Sequence, residues 1–446
     1  MCFRRFILSV LMSFVMQMTW AVIAYPGLID FRQPDGSIVK LKLRGDEFFH
    51  WAESEDGYTL MADDDGFMTL AIPDEQGNLY PSKYKAVNMF QRSPAFLDAM
   101  KQVKPGTVFS KKQLEKPLEK RMLASSKNRV IVSDKPVVGK RKFLVILMEF
   151  TDVRFQKSAE DFYRLLNEEG YNLDWNAGSV HDFYKENSFG QLDLRCDVAG
   201  VYRASHTMAF YGSNNGGNAS ALAVEALQAA SRDYDLDDYD TDGDGYIDGV
   251  HIIFAGYGEE AGGGEDCIWS HESTTTGYFC NVNGIRMNVY SCSPELRNGS
   301  GNKMSRIGVI CHEIGHALGT MDFYDTNYGT GENYPGTGQW DVMGSGSWNN
   351  DGGSPAHFNP YTKIYDFKWS EVQNGNIPQM ITLNEKTKDS FVRIDTKTDG
   401  EFFILEYRNN TGFDASIPGH GLMVWRSSEY MSRYRDNTIN AFHHQQ

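Results

Sequence analysis

The sequence is poor in positive charge. It has 43 basic residues against 59 acidic ones, which gives a formal net charge of −16 over 446 residues. Proteins that bind nucleic acid need a basic face, so this balance argues against nucleic acid as a partner. The negative charge is compatible with calcium binding and with an extracellular protein, but it does not identify a substrate.

Cysteine is also scarce, with six residues in the chain. Cys2 lies in the N-terminal leader described below, and an odd number of cysteines follows it, which leaves at least one thiol free if no intermolecular bond forms. A pair among the three cysteines that lie close in sequence is plausible, and Cys311 is interpreted as a packed apolar residue. The cysteines after the N-terminal run are Cys196, Cys267, Cys280, Cys292 and Cys311.

Long apolar runs are absent except at the start of the chain. Arg4 and Arg5 precede an apolar run from Phe6 to Ala24, with Val22 and Ala24 at positions −3 and −1 of a possible cleavage site. Ala21 is a second possible cleavage site. This pattern is typical of a secretory signal peptide over residues 1–24; a membrane anchor is the alternative interpretation. No second run of membrane-spanning length follows, so we expect a secreted mature protein with no stable membrane span.

The rest of the chain divides by composition and shows no internal repeat. Its length and its 41% hydrophobic content predict two or three domains. Residues 25–141 form a β-rich unit with a basic connector, and residues 142–372 open on a buried strand, Lys142–Phe150. Residues 373–446 form a second β-rich unit, possibly truncated, with strands expected at Met380–Leu383 and from Phe391 onward. The expected fold class is α+β.

One stretch carries catalytic chemistry, Cys311–Asp322. His312 and His316 are four residues apart, which places both imidazoles on one face of a helix. Two neutral imidazoles in this arrangement fit a tetrahedral zinc ion. Glu313 lies between them and could take a proton from a metal-bound water whose pKa zinc lowers to ~7. This H-E-x-x-H pattern is a metalloprotease signature.

The residues that follow supply a third ligand and a supporting turn. Gly319 can adopt a positive φ and end the helix, and Asp322 then offers a hard oxygen ligand. Asp325 and His271 are lower-ranked candidates for the same role. Downstream, Met343 lies in a turn of small residues that resembles the Met-turn of metzincins.

A second cluster of carboxylates suggests calcium. Asp240, Asp242, Asp244 and Asp248, with Gly245 at position six, match the first part of an EF-hand-like loop. His251 stands at position twelve in place of Glu, and a strand is expected to follow instead of a helix, so a true EF-hand is excluded. Oxygen ligands at this density suit a structural Ca²⁺ ion; a solvated acidic turn is the alternative.

Together these motifs resemble the M6 family of secreted bacterial zinc metallopeptidases, the immune inhibitor A-like family. The resemblance implies a zincin or metzincin-like catalytic domain with a mixed sheet and an active-site helix, made as a zymogen behind a propeptide. The chain departs from the commonest metzincin pattern at Asp322, where a third His is usual, and at Ser345, where some members carry a Tyr. The matching stretches are Pro26–Gly27, Gln33–Gly36, Asp240–Gly245, the zinc stretch, Gly336–Met343 and Pro418–Leu422.

The sequence also suggests how such a zymogen is held and released. No cysteine lies between Cys2 and Cys196, so a thiol in the propeptide cannot block the zinc. The stretch Arg44–Asp46 resembles the Gly-Asp of an aspartate-switch propeptide, which makes Asp46 a candidate carboxylate for that role; a solvated turn residue beside Arg44 is the alternative. The basic connector, Lys101–Lys142, is a place where proteolytic nicking concentrates, by a Lys/Arg-directed protease or by the enzyme itself.

Two features of the cleft can be placed from sequence, and one rival function stays open. Arg286–Cys292 is expected to form the edge strand that pairs with substrates, which are proteins or peptides. Tyr361 is a speculative transition-state donor. The rival function is a catalytically inactive binding or adhesion protein that retains the zincin fold.

Overall fold

The computed structural model describes residues 19–107, 109–127, 135–214, 217–241, 243, 245–275, 280–282, 284–287, 289–326, 335–384, 386–388 and 390–434. These residues mix α and β structure, as the sequence predicted. They form three sheets of four to six strands and one two-stranded hairpin. None of their helices combines the length and the apolar character needed to cross a membrane.

The N-terminal unit is an antiparallel meander in which each strand pairs with the next. Glycines with positive φ close its turns, as at Gly36 and Gly57, because only glycine takes that conformation at little cost. Two helices follow the sheet, α1 (Pro94–Met100) and α2 (Lys111–Lys127). The strands are β2 Leu28–Arg32, β3 Ile38–Gly45, β4 His50–Ser54, β5 Thr59–Ala62, β6 Met68–Pro73 and β7 Leu79–Lys85.

The central sheet is mixed and has the order β1-β11-β14-β10-β8-β9. The strands β14, β10, β8 and β9 run parallel to one another. The strand β11 pairs antiparallel with β14, and β1 pairs antiparallel with β11. The bounds are β1 Thr19–Trp20, β8 Gly139–Glu149, β9 Leu192–Arg203, β10 Val250–Tyr257, β11 His271–Thr274 and β14 Val289–Leu296, with the separate hairpin β12 Cys280–Val282 and β13 Ile285–Met287.

The strand β8 shows why this sheet is the centre of the fold. Phe143, Val145 and Leu147 face one hydrophobic cluster, and the alternate residues Leu144, Ile146 and Met148 face another. All six are at most 1% exposed, as expected for a strand covered on both faces. Helices supply the covers: α3 Ala159–Asn167, α4 Val180–Asn187, α5 Met208–Gly212, α6 Ala219–Ala230 and α7 Ile307–Ala317.

Local sequence fixes where the covering helices begin. Ser158 and Asp161 form a reciprocal capping box at the start of α3, and Ser179 and Asp182 do the same at α4. Each box satisfies two backbone donors that a helix start would otherwise leave without a partner.

The C-terminal unit is a four-stranded sheet of order β15-β16-β17-β18. Its strands are β15 Val372–Asn374, β16 Phe391–Asp395, β17 Glu401–Arg408 and β18 Gly421–Ser428. The strand predicted at Met380–Leu383 is wrong, since this stretch is irregular and the pairing partner of β16 is β15. Met380 is 97% exposed, so its apolar side chain has no sheet to pack against.

Two further expectations were wrong. Arg286–Cys292 does not form the edge strand, because β14 lies between β10 and β11, and β11 is the strand to which β1 is added. The thiols of Cys267 and Cys292 are free, as are those of Cys196 and Cys311, so the pair expected among Cys267, Cys280 and Cys292 is not formed. Cys311, which lies on α7, is fully buried in the core, as predicted.

Candidate metal centre and substrate cleft

The helix α7 lies entirely inside the protein. Its residues from Ile307 to His316 are all buried, so histidines on it cannot be solvated surface groups. The helix ends at Ala317, and Gly319, the residue after the C-cap Leu318, has a φ of 105° in the left-handed region. The amide of Thr320 then donates to the carbonyl of Gly315, which closes the helix end and turns the chain back so that Asp322 faces the histidines.

His312, His316 and Asp322 converge on one point. The Nε2 atoms of the two histidines are 3.1 Å apart. Asp322 Oδ1 lies 3.1 Å from His312 Nε2 and 3.2 Å from His316 Nε2. A tetrahedral zinc ion with bonds of about 2.05 Å would place its ligands about 3.3 Å apart. The three donors therefore form one nearly equilateral face of a coordination tetrahedron.

Hydrogen bonds from the other ring nitrogens orient both imidazoles. His312 Nδ1 lies 2.8 Å from the carbonyl oxygen of Val342, and His316 Nδ1 lies 2.9 Å from that of Thr320. Because a carbonyl can only accept, each Nδ1 carries the proton and each Nε2 presents a lone pair toward the shared point. Although burial opposes it, the neighbouring His316 and His312 hold the pKa of Asp322 well below its usual value, so this ligand is a carboxylate.

The turn around Met343 packs against the helix α7. Met343 is fully buried, and a Cβ atom placed on Gly315 would lie 2.9 Å from its Sδ and 3.1 Å from Cε1 of Phe358. The absence of a side chain at Gly315 therefore allows the methionine to pack directly against α7. The carbonyl of Met343 also accepts from the amide of Phe323, which ties the turn to the loop that carries Asp322.

Glu313 points into a cleft that the chain itself fills. Its Oε1 accepts a hydrogen bond of 3.0 Å from the backbone amide of Val22, whereas Oε2 is buried and has no hydrogen-bond partner in the described part of the chain. Burial raises the pKa of Glu313 well above its usual value; the Val22 amide opposes that shift, and Asp322 and Glu47 add to it.

The segment that fills the cleft is Thr19–Tyr25, hereafter the cleft segment. Thr19 and Trp20 pair antiparallel with Ser273 and Glu272 of β11. Beyond them the segment is held by side chains of the unit that contains the central sheet and α7, hereafter the catalytic unit. Trp269 Nε1 donates to the carbonyl of Val22 at 2.9 Å, and Trp348 Nε1 donates to that of Ile23 at 3.0 Å. Six residues of this segment belong to the predicted leader, whose boundary at residue 24 stays a prediction.

The N-terminal sheet reaches the same cleft through its β3–β4 turn. The amide of Ala24 donates to the carbonyl of Gly45. Glu47 is half-buried, and its buried Oε2 atom has no hydrogen-bond partner in the described part of the chain. Burial and the neighbouring Asp46 raise the pKa of Glu47 well above its usual value, and Asp322 contributes to the shift. A carboxylate of the N-terminal unit thus lies near the metal ligands.

That carboxylate is not the one expected from sequence. Asp46 is fully buried and forms an ion pair with Arg121 of α2. Its Oδ1 accepts from the amides of Phe48 and Phe49 at 3.0 and 3.2 Å. Within the described residues, the group able to hold a metal comprises His312, His316 and Asp322 and does not include Asp46. We interpret Asp46 as the residue that shapes the turn and anchors α2 to it.

The lower-ranked ligand candidates are placed elsewhere. His271 lies on β11, where Nδ1 contacts the carbonyl of Trp269 at 2.7 Å and Nε2 contacts the hydroxyl of Tyr290 at 2.9 Å. Burial lowers the pKa of His271 to about 4. Neither His271 nor Asp325 belongs to the metal-ligand group found among the described residues.

The acidic loop predicted to bind calcium is described only in part, because Asp242 and Asp244 lie outside the described residues. Asp240 Oδ2 accepts from the amide of Gly245 at 2.9 Å. Asp248 forms an ion pair with Arg141 at 3.1 Å and accepts from the amide of Thr241. The strand predicted after the loop is present as β10. A bound calcium ion stays a prediction.

The residues that donate hydrogen bonds to the main-chain carbonyls of the cleft segment were not predicted from the sequence. Tyr324, whose hydroxyl donates to the carbonyl of Ala21, follows Asp322 by two positions, and this proximity was the only available signal. Trp269 and Trp348 are remote from the zinc stretch in sequence. Their hydrogen bonds to the cleft segment depend on the fold, and no local pattern around either residue indicates them.

Comparisons with known proteins agree with this geometry. The family profile described as "Immune inhibitor A peptidase M6, catalytic domain" matches residues 131–373, more than half of the chain. The chain is 32% identical over 291 residues to the Pre-pro-metalloprotease PrtV of Vibrio cholerae serotype O1, an alignment that covers 54% of this chain and 31% of PrtV. It is 28% identical over 316 residues to Immune inhibitor A of Bacillus thuringiensis subsp. alesti, which covers 59% of this chain and 44% of the relative.

A third relative, the Putative secreted metallopeptidase of Arthroderma benhamiae, is 25% identical over 295 residues, which covers 58% of this chain and 41% of the relative. The chain thus spans less than half the length of these curated relatives. The region matched by the family profile contains the helix α7, the three convergent ligands and the Met343 turn, and on this basis the chain belongs to the immune inhibitor A peptidase M6 family.

Proposed function

We propose that this protein is a secreted zinc-dependent endopeptidase that hydrolyses peptide bonds of proteins and is made as a zymogen. The observation that carries the proposal is the convergence of His312 Nε2, His316 Nε2 and Asp322 Oδ1 within 3.2 Å of one another, with Glu313 beside them on the same helix. Two neutral imidazoles and one carboxylate, all oriented by the fold, are a donor set that suits zinc and leaves a coordination position open.

Each residue has a defined part in the proposed reaction. His312, His316 and Asp322 would hold the metal, and zinc bound there supplies a Lewis acid that lowers the pKa of a water molecule to ~7. Glu313 takes a proton from the attacking water and delivers it to the leaving amine nitrogen. Its buried position beside the N–H of Val22 places the carboxylate where the nitrogen of a bound peptide lies. Met343 supports the helix without binding the metal.

The zymogen part of the proposal rests on the occupied cleft. In a precursor that still carries its leader, the cleft segment covers Glu313 and pairs with β11, so a substrate cannot enter. After cleavage at residue 24, latency would depend on the β3–β4 turn of the N-terminal unit, whose Glu47 carboxyl interacts electrostatically with Asp322. Cleavage in the basic connector by a Lys/Arg-directed protease or by the enzyme itself would release the N-terminal unit. Part of that connector, residues 128–134, lies outside the described residues. The names of two relatives, a pre-pro-metalloprotease and a putative secreted metallopeptidase, support a secreted precursor.

Replacing the proposed proton carrier tests the mechanism. Glu313→Gln removes the base but keeps the shape of the side chain and all three ligands. We expect bound zinc to remain and kcat/KM on casein to fall by about 10²–10⁴-fold. The control is Glu265→Gln, which changes an exposed Glu and should leave activity unchanged. A Glu313→Gln enzyme with near wild-type turnover contradicts the proposed role.

The rival function, a binding or adhesion protein on an inactive zincin fold, predicts a different result. Casein zymography of the activated protein, run with and without a chelator, separates the two functions. A clearing zone that the chelator abolishes and added zinc restores supports the peptidase. The absence of any clearing by a zinc-loaded, cleaved protein supports the binding protein.

We also propose that the loop from Asp240 to Asp248 binds a structural Ca²⁺ ion. Glycines at positions 243 and 245 have φ values of 72° and 83°, which gives the loop the tight turns that such sites use. Calcium titration followed by thermal unfolding tests this proposal. An increase in Tm that Asp242→Asn or Asp244→Asn reduces supports it, and a Tm independent of calcium contradicts it.

A further inference from the structure

One peptide bond of the cleft segment, Ala21–Val22, is contacted on both of its polar atoms by the catalytic unit. The amide of Val22 donates to Glu313 Oε1 at 3.0 Å, and the carbonyl oxygen of Ala21 accepts from the hydroxyl of Tyr324. Both residues of the bond are fully buried. This is the pattern of contacts expected at a bond about to be broken, because charge develops on the carbonyl oxygen while the nitrogen gains a proton.

The contacts on the following residues are of another kind. Trp269 donates to the carbonyl of Val22 and Trp348 to that of Ile23. These indoles hold main-chain oxygens one and two residues beyond the bond that Glu313 contacts. Such contacts exist equally in the ground state and in the transition state, so they contribute to binding and not to the rate of the chemical step.

Tyr324 is placed by the same loop that places the third ligand. It follows Asp322 by two residues, beyond the turn at Gly319, and its side chain is only 4% exposed. The amide of the intervening Phe323 is hydrogen-bonded to the carbonyl of Met343, which fixes the loop against the Met343 turn. The backbone that carries Tyr324 is therefore fixed by contacts that do not involve the cleft segment, and a donor held in this way needs little reorganisation during the reaction.

The other hydroxyls considered for this role are placed differently. Tyr361 packs in the core beside Phe323 and Tyr365, with ring centroids 6.4 and 4.9 Å away. Ser345, two residues past Met343, begins a short 3-10 turn.

We propose that Tyr324 is the hydroxyl that donates to the carbonyl oxygen of the scissile peptide bond and stabilises the negative charge that forms on it. This inference rests on the proposed peptidase function. It takes the Ala21–Val22 bond as a stand-in for a substrate bond, with the Val22 nitrogen in the place of the leaving amine. The hydroxyl keeps its proton throughout, since it acts as a hydrogen-bond donor, and Glu313 carries the transferred proton.

The test compares three variants of the activated, secreted enzyme on one peptide substrate. Removal of one oxyanion donor costs about 10²–10³ in kcat, so we expect Tyr324→Phe to show that loss with KM changed by less than about threefold. Trp348→Phe removes a ground-state contact and should raise KM with little effect on kcat. Tyr361→Phe keeps a core ring and should behave as wild type in both parameters.

Two further measurements keep the result interpretable. Zinc content and circular dichroism of Tyr324→Phe should match wild type, because the residue is not a metal ligand. Calorimetry with a phosphinic peptide, which mimics the tetrahedral transition state, should show a loss of affinity of about 10²-fold, whereas an unreactive ground-state peptide should bind unchanged. The calorimetric comparison uses Tyr324→Phe and wild type at equal zinc occupancy, so it reports on the hydroxyl even where turnover is too slow to measure.

Each outcome is decisive. A Tyr324→Phe enzyme with kcat within threefold of wild type, or with unchanged affinity for the phosphinic peptide, overturns the inference while the peptidase function stands. A wild-type protein that shows no chelator-sensitive turnover overturns the peptidase function, and the inference fails with it.

Discussion

At the scale of single residues, the candidate site depends on one missing side chain. Gly315 faces Met343 Sδ and Phe358, and a Cβ there would lie 2.9 and 3.1 Å from their atoms. We expect Gly315→Ala to overpack this contact and lower the free energy of unfolding by about 1–3 kcal/mol, because both neighbours are fully buried and cannot move aside freely. Thermal or urea unfolding measures the change.

The control for this substitution is another glycine in a different environment. A Cβ on Gly419 meets no atom within 4 Å, so Gly419→Ala should change stability by less than about 0.5 kcal/mol. Equal stability of the Gly315 and Gly419 variants would contradict close packing of the methionine turn. A lower zinc affinity of Gly315→Ala would further indicate that the contact positions the two histidines as well as stabilising the core.

At the scale of elements, the buried ion pair between Asp46 and Arg121 joins the β3–β4 turn to α2. Arg121→Met leaves the carboxylate of Asp46 buried without its cation, and breaking a buried pair in this way costs about 3–5 kcal/mol. We expect α2 to detach from the sheet and trypsin to cleave the connector faster. The time course of limited proteolysis, followed on a gel, measures this change.

The matched control lies on the same helix. Lys116 is exposed, and Lys116→Met removes the same charge and one trypsin site without disturbing a buried pair. It should therefore leave the rate of cleavage at other connector bonds near that of wild type. Similar cleavage rates for the two variants would show that the Asp46–Arg121 pair does not hold α2 in place.

The elements also show which features could be predicted from the sequence. His312, Glu313, His316, Gly319 and Asp322 act within one helix and its terminal turn, so their spacing alone specifies the geometry. The strand β11 and the cleft segment meet across more than 250 residues, and pairing at that separation leaves no local pattern to read. The structural role of Asp46 could not be predicted for the same reason, because its ion-pair partner Arg121 lies 75 residues away in the sequence.

At the scale of the whole molecule, the N-terminal unit and the catalytic unit meet through titratable groups. His50 of β4 lies 3.2 Å from Glu259 Oε1 and close to Asn214, its Nδ1 contacts the carbonyl of Asp46, and its ring packs on Trp269 at 4.9 Å. Burial lowers the pKa of His50, but Glu259 outweighs that effect and raises the pKa above 6.5. Burial also raises the pKa of Glu47 and raises that of Glu260 to about 7.

Each of these pKa values is raised. Docking that raises the pKa of a group is favoured by protonation, so the contribution of His50 is complete below 6.5 and is lost as the pH rises through its raised pKa. The carboxyl of Glu47 acts in the same direction, since it is buried more easily in its neutral form. The carboxyl of Glu260 accepts hydrogen bonds from Ser270 of the catalytic unit, so its titration is not assigned to docking. We therefore expect the cleaved N-terminal unit to stay bound to the catalytic unit at pH 5.5 and to dissociate increasingly toward pH 8.

Gel filtration of the cleaved protein across this pH range measures the bound fraction, with zinc held constant so that metal loss does not contribute. His50→Gln keeps a hydrogen-bonding side chain but removes the titration, so it should weaken binding at pH 5.5 and flatten the pH dependence. The carboxyl of Glu47 should leave a residual dependence of the bound fraction on pH in that variant. A bound fraction that rises with pH in the wild-type protein would contradict this prediction. It would show that docking lowers the pKa values of the groups between the two units, and latency would then be strongest at neutral pH.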